Sequence, residues 1–340
     1  MTKTIDLRVI STCTAVLLAS PAFAQNAFRP LPEMPELRGL VGGAGAASLS
    51  AAARTRALFD EIDAAAEGAR ERTFVEVRAT AGATAGVDLQ GGGELAMQSG
   101  GWHATIGTAL AEDRIAALSL DTEAFFYELG GANGLVPGVS QPFNDLYQAR
   151  IAGIVRTQSG ATPGFFAGFQ LALCGEDNAD AKDSLVVGGM GGLRYDPSPE
   201  LGLELGVAAL SRLEDDPWLW PFIGFDWQAN ERVSFQAKGT SLEGRVALDE
   251  HWSVFGRAEY VLRQFRLNSD NPLPSGVFRD EEIRAGLGVT RTSDDGFQFE
   301  LLGGLDLWRE LSTLDSNGTK ITEVEADPAP FVALSLTLAL

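Results

Sequence analysis

Arginines and carboxylates alternate with apolar or small residues in a series of segments between Phe74 and Leu340. On neighbouring segments, such side chains either pair with one another or line a wet passage for small solutes. Both arrangements remain open at this stage. Eleven residues form the candidate lumen-lining site: Arg150, Arg156, Arg194, Glu204, Asp226, Glu243, Arg257, Glu259, Arg263, Arg284 and Glu300.

A hydrolase would need a nucleophile beside a base, and the chain contains only two histidines, His103 and His251. His251 is predicted in a short turn. His103 faces the predicted lumen, but the stretch from Trp102 to Gly107 lacks a His-x-Ser arrangement. We therefore predict no enzyme activity, no catalytic residue and no cofactor.

The acidic stretch from Glu176 to Asp183 offers oxygen ligands, but it lacks the glycine that a calcium-binding loop needs for its sharp turn. A solvated loop is the favoured interpretation, with weak cation bridging to lipopolysaccharide phosphate as the alternative. Asp215–Asp216 and Asp280–Glu282 are predicted to extend the same acidic rim. We predict no metal site.

The elements that would carry the charged residues are long strands. In residues 199–213, Leu201, Leu203, Leu205 and Val207 share one face, while glycine and Glu204 share the other. A long strand with one apolar and one polar face is typical of a membrane-spanning barrel.

This pattern predicts an all-β, transmembrane antiparallel β-barrel of about fourteen strands, with twelve as the alternative count. Long connections alternate with short turns, as in outer-membrane barrels. The connection Gly239–Thr240 is an exception, and its flanking strands are short. The predicted strands cover residues 74–84, 101–111, 114–127, 146–157, 163–174, 184–196, 199–212, 218–228, 231–238, 241–248, 252–265, 280–292, 296–309 and 330–340.

The positions of the charges fix the register of each predicted strand. Phe297, Phe299 and Leu301 face outward, whereas Glu300 faces inward, and no charge in the middle of a strand faces lipid. A slip by one residue would swap the faces, and each Arg or Lys then at mid-bilayer would cost roughly 2–4 kcal/mol.

The N-terminal part divides into two segments. Residues 1–24 have a charged start, an apolar stretch and the cleavage site Ala22-Phe23-Ala24, which indicates a secretory signal peptide. Residues 25–72 are predicted to form a Pro/Gly-rich tether followed by an amphipathic helix, lying in the periplasm or plugging the barrel. Residues 73–340 form the predicted barrel.

The net charge of the chain is −20, so binding to nucleic acid is disfavoured. The expected partners are outer-membrane lipid, lipopolysaccharide and small solutes. Only Cys174 remains after the signal peptide, which excludes an intramolecular disulfide in the mature chain.

With these features the chain resembles the outer-membrane β-barrel proteins of Gram-negative bacteria over residues 74–340 and the signal peptide. The stretches Pro221–Glu231 and Asp249–Trp252 are similar to poorly characterised, porin-like members. One departure is the C-terminus, which ends in Leu340 where these proteins commonly end in an aromatic residue. The resemblance implies an outer-membrane location.

We therefore predict a channel or passive transporter for small solutes, with a mixed-charge lumen and acidic outer loops. The layout is also similar to the fourteen-stranded fatty-acid transporters, in which a gap in the wall releases an apolar substrate into lipid. A dip at Gly239–Thr240 would suit such a gap. The alternative is a non-conducting structural or adhesive barrel.

Overall fold

The computed structural model describes residues 73–111, 114–131, 134–157 and 162–339, except for the side chain of Lys238. The predicted signal peptide, the tether and the N-terminal helix lie outside the described residues. No helix within these ranges is long and apolar enough to cross a membrane.

Fifteen β-strands follow one another along the described residues. Their bounds are β1 (Thr73–Asp88), β2 (Glu94–Ala111), β3 (Arg114–Gly130), β4 (Leu146–Thr157), β5 (Gly164–Glu176), β6 (Leu185–Ser198), β7 (Leu201–Arg212), β8 (Asp215–Gln228), β9 (Val233–Lys238), β10 (Ser241–Ala247), β11 (Trp252–Arg266), β12 (Val277–Thr292), β13 (Phe297–Leu314), β14 (Lys320–Ala326) and β15 (Ala329–Ala339).

These strands form one closed antiparallel ring. Each strand from β1 to β13 pairs with the next, and β15 pairs with both β1 and β13. The lower part of β13, from Phe297 to Asp306, pairs with β15, and its upper part, from Arg309 to Leu314, pairs with β14. Because β14 and β15 pair with different parts of the same edge of β13, together they occupy one strand position in the ring. The predicted barrel of fourteen strands is therefore confirmed.

Several strands extend further into the predicted long connections than the sequence indicated. β2 begins at Glu94, β13 ends at Leu314, and β14 lies within a predicted loop. The extensions carry apolar residues that are completely buried, such as Leu95 and Leu311. Backbone pairing continues there because these side chains are packed inside the mouth of the ring.

The two faces of the ring differ as the alternation predicts. Leu205, Leu219 and Leu287 are 63%, 75% and 77% exposed, whereas Glu204 and Trp220 are buried. Trp218 packs against a buried apolar cluster on the side opposite the exposed row. We call the row opposite the exposed apolar side chains the inner face.

Leu205→Arg is expected to lower the free energy of unfolding in bilayers by about 2–4 kcal/mol, because it places a charge in the middle of the outward row. Urea titration of the protein in liposomes measures this change. Leu110→Arg, near the end of β2, is the matched control, with an expected cost of about 0–1 kcal/mol. Equal costs at the two positions would contradict a lipid-facing middle band.

The short turns contain local caps. Backbone N–H groups of His251 and Trp252 each donate to Asp249 Oδ1 at 2.8 Å. The hydrogen bond from His251, followed by that from Trp252, lowers the pKa of the Asp249 carboxyl. The turn before β11 is therefore held by an ionised side chain.

Candidate functional site

Near the short-turn end, one arginine joins three strands of the inner face. Arg194 on β6 lies 2.8 Å from Asp196, 3.3 Å from Glu204 on β7 and 3.2 Å from Asp226 on β8. The pairing of Arg194 with Glu204 follows directly from the strand register. One guanidinium therefore bridges three carboxylates on neighbouring strands.

A second network lies on β10, β11 and β13. Glu243 accepts from Arg257 at 2.7 Å and from Arg245 at 2.8 Å, and Glu300 lies 3.1 Å from Arg257. The side chains of Arg245 and Arg257 are 28% and 24% exposed. The guanidinium groups of this network are therefore only partly covered by protein.

The remaining predicted residues lie on the same face. Arg284 donates to Glu259 at 2.6 Å, Arg150 donates to Asp121 at 3.1 Å, and Arg156 is buried. All eleven predicted residues are buried or half-buried. Their role in lining a passage stays a prediction.

Two of the most deeply buried charges differ from the prediction made from the sequence. Asp280 and Glu282 were expected in an acidic outer rim, but they lie on the inner face of β12 and are 0% exposed. Asp280 contacts Arg263 at 3.0 Å and Arg309 at 2.7 Å, and it accepts from Tyr127 at 2.6 Å. Asp280, Glu282 and Arg284 are spaced two residues apart on one strand and therefore share a face. This spacing could have predicted that the two carboxylates lie inside.

The acidic stretch between β5 and β6 also differs from the prediction at one residue. Glu176 is buried, and it accepts hydrogen bonds from the backbone N–H groups of Asn144 and Asn268 and from the side chain of Asn271. Glu176 therefore joins its own connection to the β3–β4 and β11–β12 connections through hydrogen bonds. No group of three or more His, Cys, Asp or Glu in the described part of the chain could hold a metal ion.

His103 belongs to a buried polar chain. Thr105 Oγ1 lies 2.6 Å from His103 Nε2, Nδ1 of His103 contacts Asp121, and Arg150 binds the other oxygen of Asp121. This order of hydroxyl, imidazole and carboxylate is that of a nucleophile with its base. Thr105 is only 2% exposed. A substrate cannot approach the hydroxyl in this arrangement, and the chain of contacts connects strands β2, β3 and β4.

Thr105→Val is expected to lower the free energy of unfolding by about 1–3 kcal/mol, because His103 Nε2 loses its partner in a buried position. Urea unfolding in lipid measures this loss. Thr108→Val, at an outward position on the same strand, is the control and should change little. A change at Thr105 no larger than at Thr108 would contradict the structural role.

An apolar cluster fills the inner face at the long-loop end. Ring centroids lie 4.3 Å apart for Phe143 and Phe278, 5.2 Å for Tyr127 and Phe278, and 5.3 Å for Phe125 and Phe265. All five rings are at most 5% exposed. We call this cluster, with the buried residues packed around it, the mouth cluster.

The connection between β3 and β4 folds across the mouth. The backbone carbonyl of Leu135 accepts from Thr313 at 2.9 Å and from Thr322 at 2.6 Å, and Asn271 donates to the carbonyl of Pro142 at 2.8 Å. Leu135 is completely buried. This connection, which we call the mouth loop (residues 134–145), therefore closes the long-loop end.

The tip of the β13–β14 hairpin reaches across to the β7–β8 turn. Gly318 has a φ of +82°, and a Cβ atom there would lie 2.4 Å from the carbonyl oxygen of Glu214. Glu214 in turn accepts from Arg266 of β11 at 2.6 Å. Glycine is required at this tip by both the backbone conformation and the close approach.

The wall of the barrel is interrupted between β8 and β11. β9 pairs with β8 only from Gly224 to Gln228, and β10 pairs with β11 only from Ser253 to Glu259. Towards the long-loop end, residues 215–223 of β8 have no ladder partner on that edge among the described residues. We call this opening the wall gap; the hairpin tip Gly239–Thr240 forms its lower border.

A cavity of about 500 Å³ lies over β2 to β5, away from the charged networks. Its lining includes the outward residues Trp102, Tyr147 and Leu173 and the small residues Ala124 and Ala149. None of the eleven predicted residues lines it. The cavity is therefore separate from the candidate site, although Glu123 and Glu176 also border it.

No family model matches the chain, and no curated protein matches it. Several solved structures are similar to it, including the following three. The toluene transporter TodX of Pseudomonas putida is 9% identical, with 81% of this chain and 91% of that chain covered and a TM-score of 0.41. An outer membrane channel from Pseudomonas putida F1 is 10% identical (80% and 98% covered, TM-score 0.41), and a FadL homologue from Pseudomonas aeruginosa is 9% identical (78% and 90% covered, TM-score 0.42).

These structural neighbours are outer-membrane β-barrels. The ring itself supplies the physical argument. In a closed ring most backbone groups of each strand are hydrogen-bonded to a neighbouring strand. The outward side chains are also apolar, so both the backbone and the side chains are compatible with the hydrocarbon core of a membrane. The chain is accordingly a fourteen-stranded antiparallel barrel with the architecture of the outer-membrane β-barrel proteins.

Proposed function

We propose that the chain is a passive outer-membrane transporter for small apolar solutes, exported through its signal peptide into the outer membrane of a Gram-negative bacterium. The solute would enter the mouth cluster from the long-loop end. It would then leave sideways through the wall gap into lipid. Outer-membrane lipid and lipopolysaccharide would surround the barrel.

The observation that carries this proposal is the continuity between the mouth cluster and the wall gap. Trp220 and Phe222 lie on the interrupted part of β8, and they belong to the same buried cluster as Phe265 and Phe278. An apolar molecule could exchange places with these side chains at little cost, because both are apolar.

The route straight down the barrel is less suited to a solute. Below the mouth cluster, Asp280, Glu282 and Arg309 are at most 1% exposed and form ion pairs. Separating such buried charges costs several kcal/mol per ion. The lateral route avoids this cost.

The test uses 1-N-phenylnaphthylamine, an apolar probe that intact lipopolysaccharide excludes and that fluoresces in lipid. Cells that express the wild-type chain should take up the probe faster than cells with an empty vector. A variant with two residues inserted on each side of Gly239–Thr240, which lengthens β9 and β10 across the wall gap, should lose this gain. Equal uptake in all three strains would refute the proposal.

A non-conducting structural or adhesive barrel is the second candidate, favoured by the ion pairs on the inner face and the closed mouth. Liposome swelling in a sugar solution, together with probe uptake, separates the candidates. A transporter of apolar solutes passes the probe but no sugar, a general pore passes sugar, and a structural barrel passes neither. Conductance that appears only on deleting residues 25–72 would assign a plugging role to that segment.

A further inference from the structure

The wall gap contains a buried indole without a hydrogen-bond partner. Trp220 is 7% exposed, and its Nε1–H has no acceptor among the described residues. Buried polar groups are nearly always hydrogen-bonded, and an orphaned donor costs about 1–3 kcal/mol. Trp220 belongs to the mouth cluster, and the ring of Trp218 stands perpendicular to that of Trp220 at 6.3 Å.

A second unpartnered group lies at the lower border of the same gap. Thr240 Oγ1 is buried and has no partner among the residues described. Its backbone carbonyl accepts from the N–H of Tyr260 at 3.1 Å, which fixes the hairpin tip against β11. Two orphaned hydrogen-bonding groups thus border one interruption of the wall.

We propose that the wall gap is a binding subsite for an apolar molecule that carries one neutral oxygen acceptor, such as a ketone, ester or ether. Trp220 Nε1–H and the Thr240 hydroxyl donate hydrogen bonds to this oxygen. The apolar remainder of the molecule packs against the mouth cluster. The inference rests on the proposed function and names the solute class that the lateral route selects.

The charges around the gap favour a neutral oxygen over a carboxylate. Arg212, whose guanidinium stacks over the ring of Trp218, is paired with Asp215 at 2.5 Å. Arg279 is paired with the same carboxylate at 2.9 Å, and Arg263 is paired with Asp280. Each of these guanidinium groups already pairs with a carboxylate, whereas the two unpartnered donors of Trp220 and Thr240 are neutral and match the uncharged acceptor of a ketone.

The experiment titrates two probes of similar size, acetophenone and ethylbenzene, into the protein in nanodiscs, with empty nanodiscs as the reference. Only acetophenone has an oxygen acceptor. The wild type is expected to bind acetophenone roughly 3- to 10-fold more tightly than ethylbenzene, which corresponds to one or two neutral hydrogen bonds. Trp220→Phe and Thr240→Val should each reduce this preference and leave ethylbenzene binding unchanged.

Trp218→Phe is the matched control, because Trp218 lies on the same face and its indole nitrogen is not among the buried, unpartnered donors. It should keep the preference. Equal binding of both probes to the wild type, or a preference that survives both Trp220→Phe and Thr240→Val, would overturn the subsite while leaving lateral transport intact. Failure of both probes to bind, together with no uptake of 1-N-phenylnaphthylamine, would reject the proposed function itself.

Discussion

Replacing Arg309 with methionine is expected to lower the free energy of unfolding by about 3–5 kcal/mol, because it removes one of the cations that compensate a group of buried carboxylates. Arg309 is 1% exposed and contacts Asp280 at 2.7 Å, with Glu282 at 3.7 Å and Asp306 at 3.9 Å. Urea unfolding in liposomes, read by the shift of the folded band in gels, measures the loss.

Two further variants test whether charge imbalance is the cause. Arg309→Met combined with Asp280→Asn should recover part of the loss. The double variant removes the Asp280 carboxylate together with the Arg309 cation that compensates it. Lys320→Ala breaks an exposed pair with Glu323 on the same hairpin and should cost about 0–1 kcal/mol. A loss at Arg309 as small as that at Lys320 would show that the buried network contributes little.

Shortening the mouth loop is expected to open the long-loop end of the barrel to ions. Replacing residues 134–143 by a short glycine-serine link removes Leu135 and Phe143 from the mouth cluster, together with the hydrogen bonds that hold the loop in place. Planar-bilayer recordings should then show discrete conductance steps that the wild type lacks, because water can enter where apolar side chains were packed.

The control is a similar shortening of an exposed connection. Residues 178–182, between β5 and β6, are mostly exposed, and replacing them by two glycines should leave the recordings like those of the wild type. Conductance steps of the same size in the wild type would show that the mouth loop is not the closing element.

The strands themselves were largely predictable from the sequence. Alternation has a period of two, so Leu201 to Val207 revealed a strand and its apolar face without any knowledge of neighbours. The short β9 and β10 around Gly239–Thr240 were predicted for the same reason. Strand ends were less predictable, because β2 and β13 continue only where Leu95 and Leu311 are buried by distant residues.

The candidate site was predictable in composition and not in arrangement. Parity placed Arg194 and Glu204 on one face, and the structure pairs them. The same parity could have placed Asp280 and Glu282 inside, but a local run of acidic residues suggested a solvated rim. Arg309 was missed because it is the last residue of the predicted strand 296–309, and because a β-bulge between Asp306 and Trp308 changes the face on which the following residues lie.

By itself, the sequence determined a chain of amphipathic strands with an apolar outer row, since each strand's two faces are encoded by adjacent residues. Only the tertiary structure decided the closed mouth, the buried charge cluster and the wall gap. These features depend on contacts such as Tyr127 with Asp280 and Leu135 with Thr313, which join residues far apart in the chain. Local periodicity specifies which way a side chain points, whereas ring closure and the folding of loops over the mouth decide what it meets there.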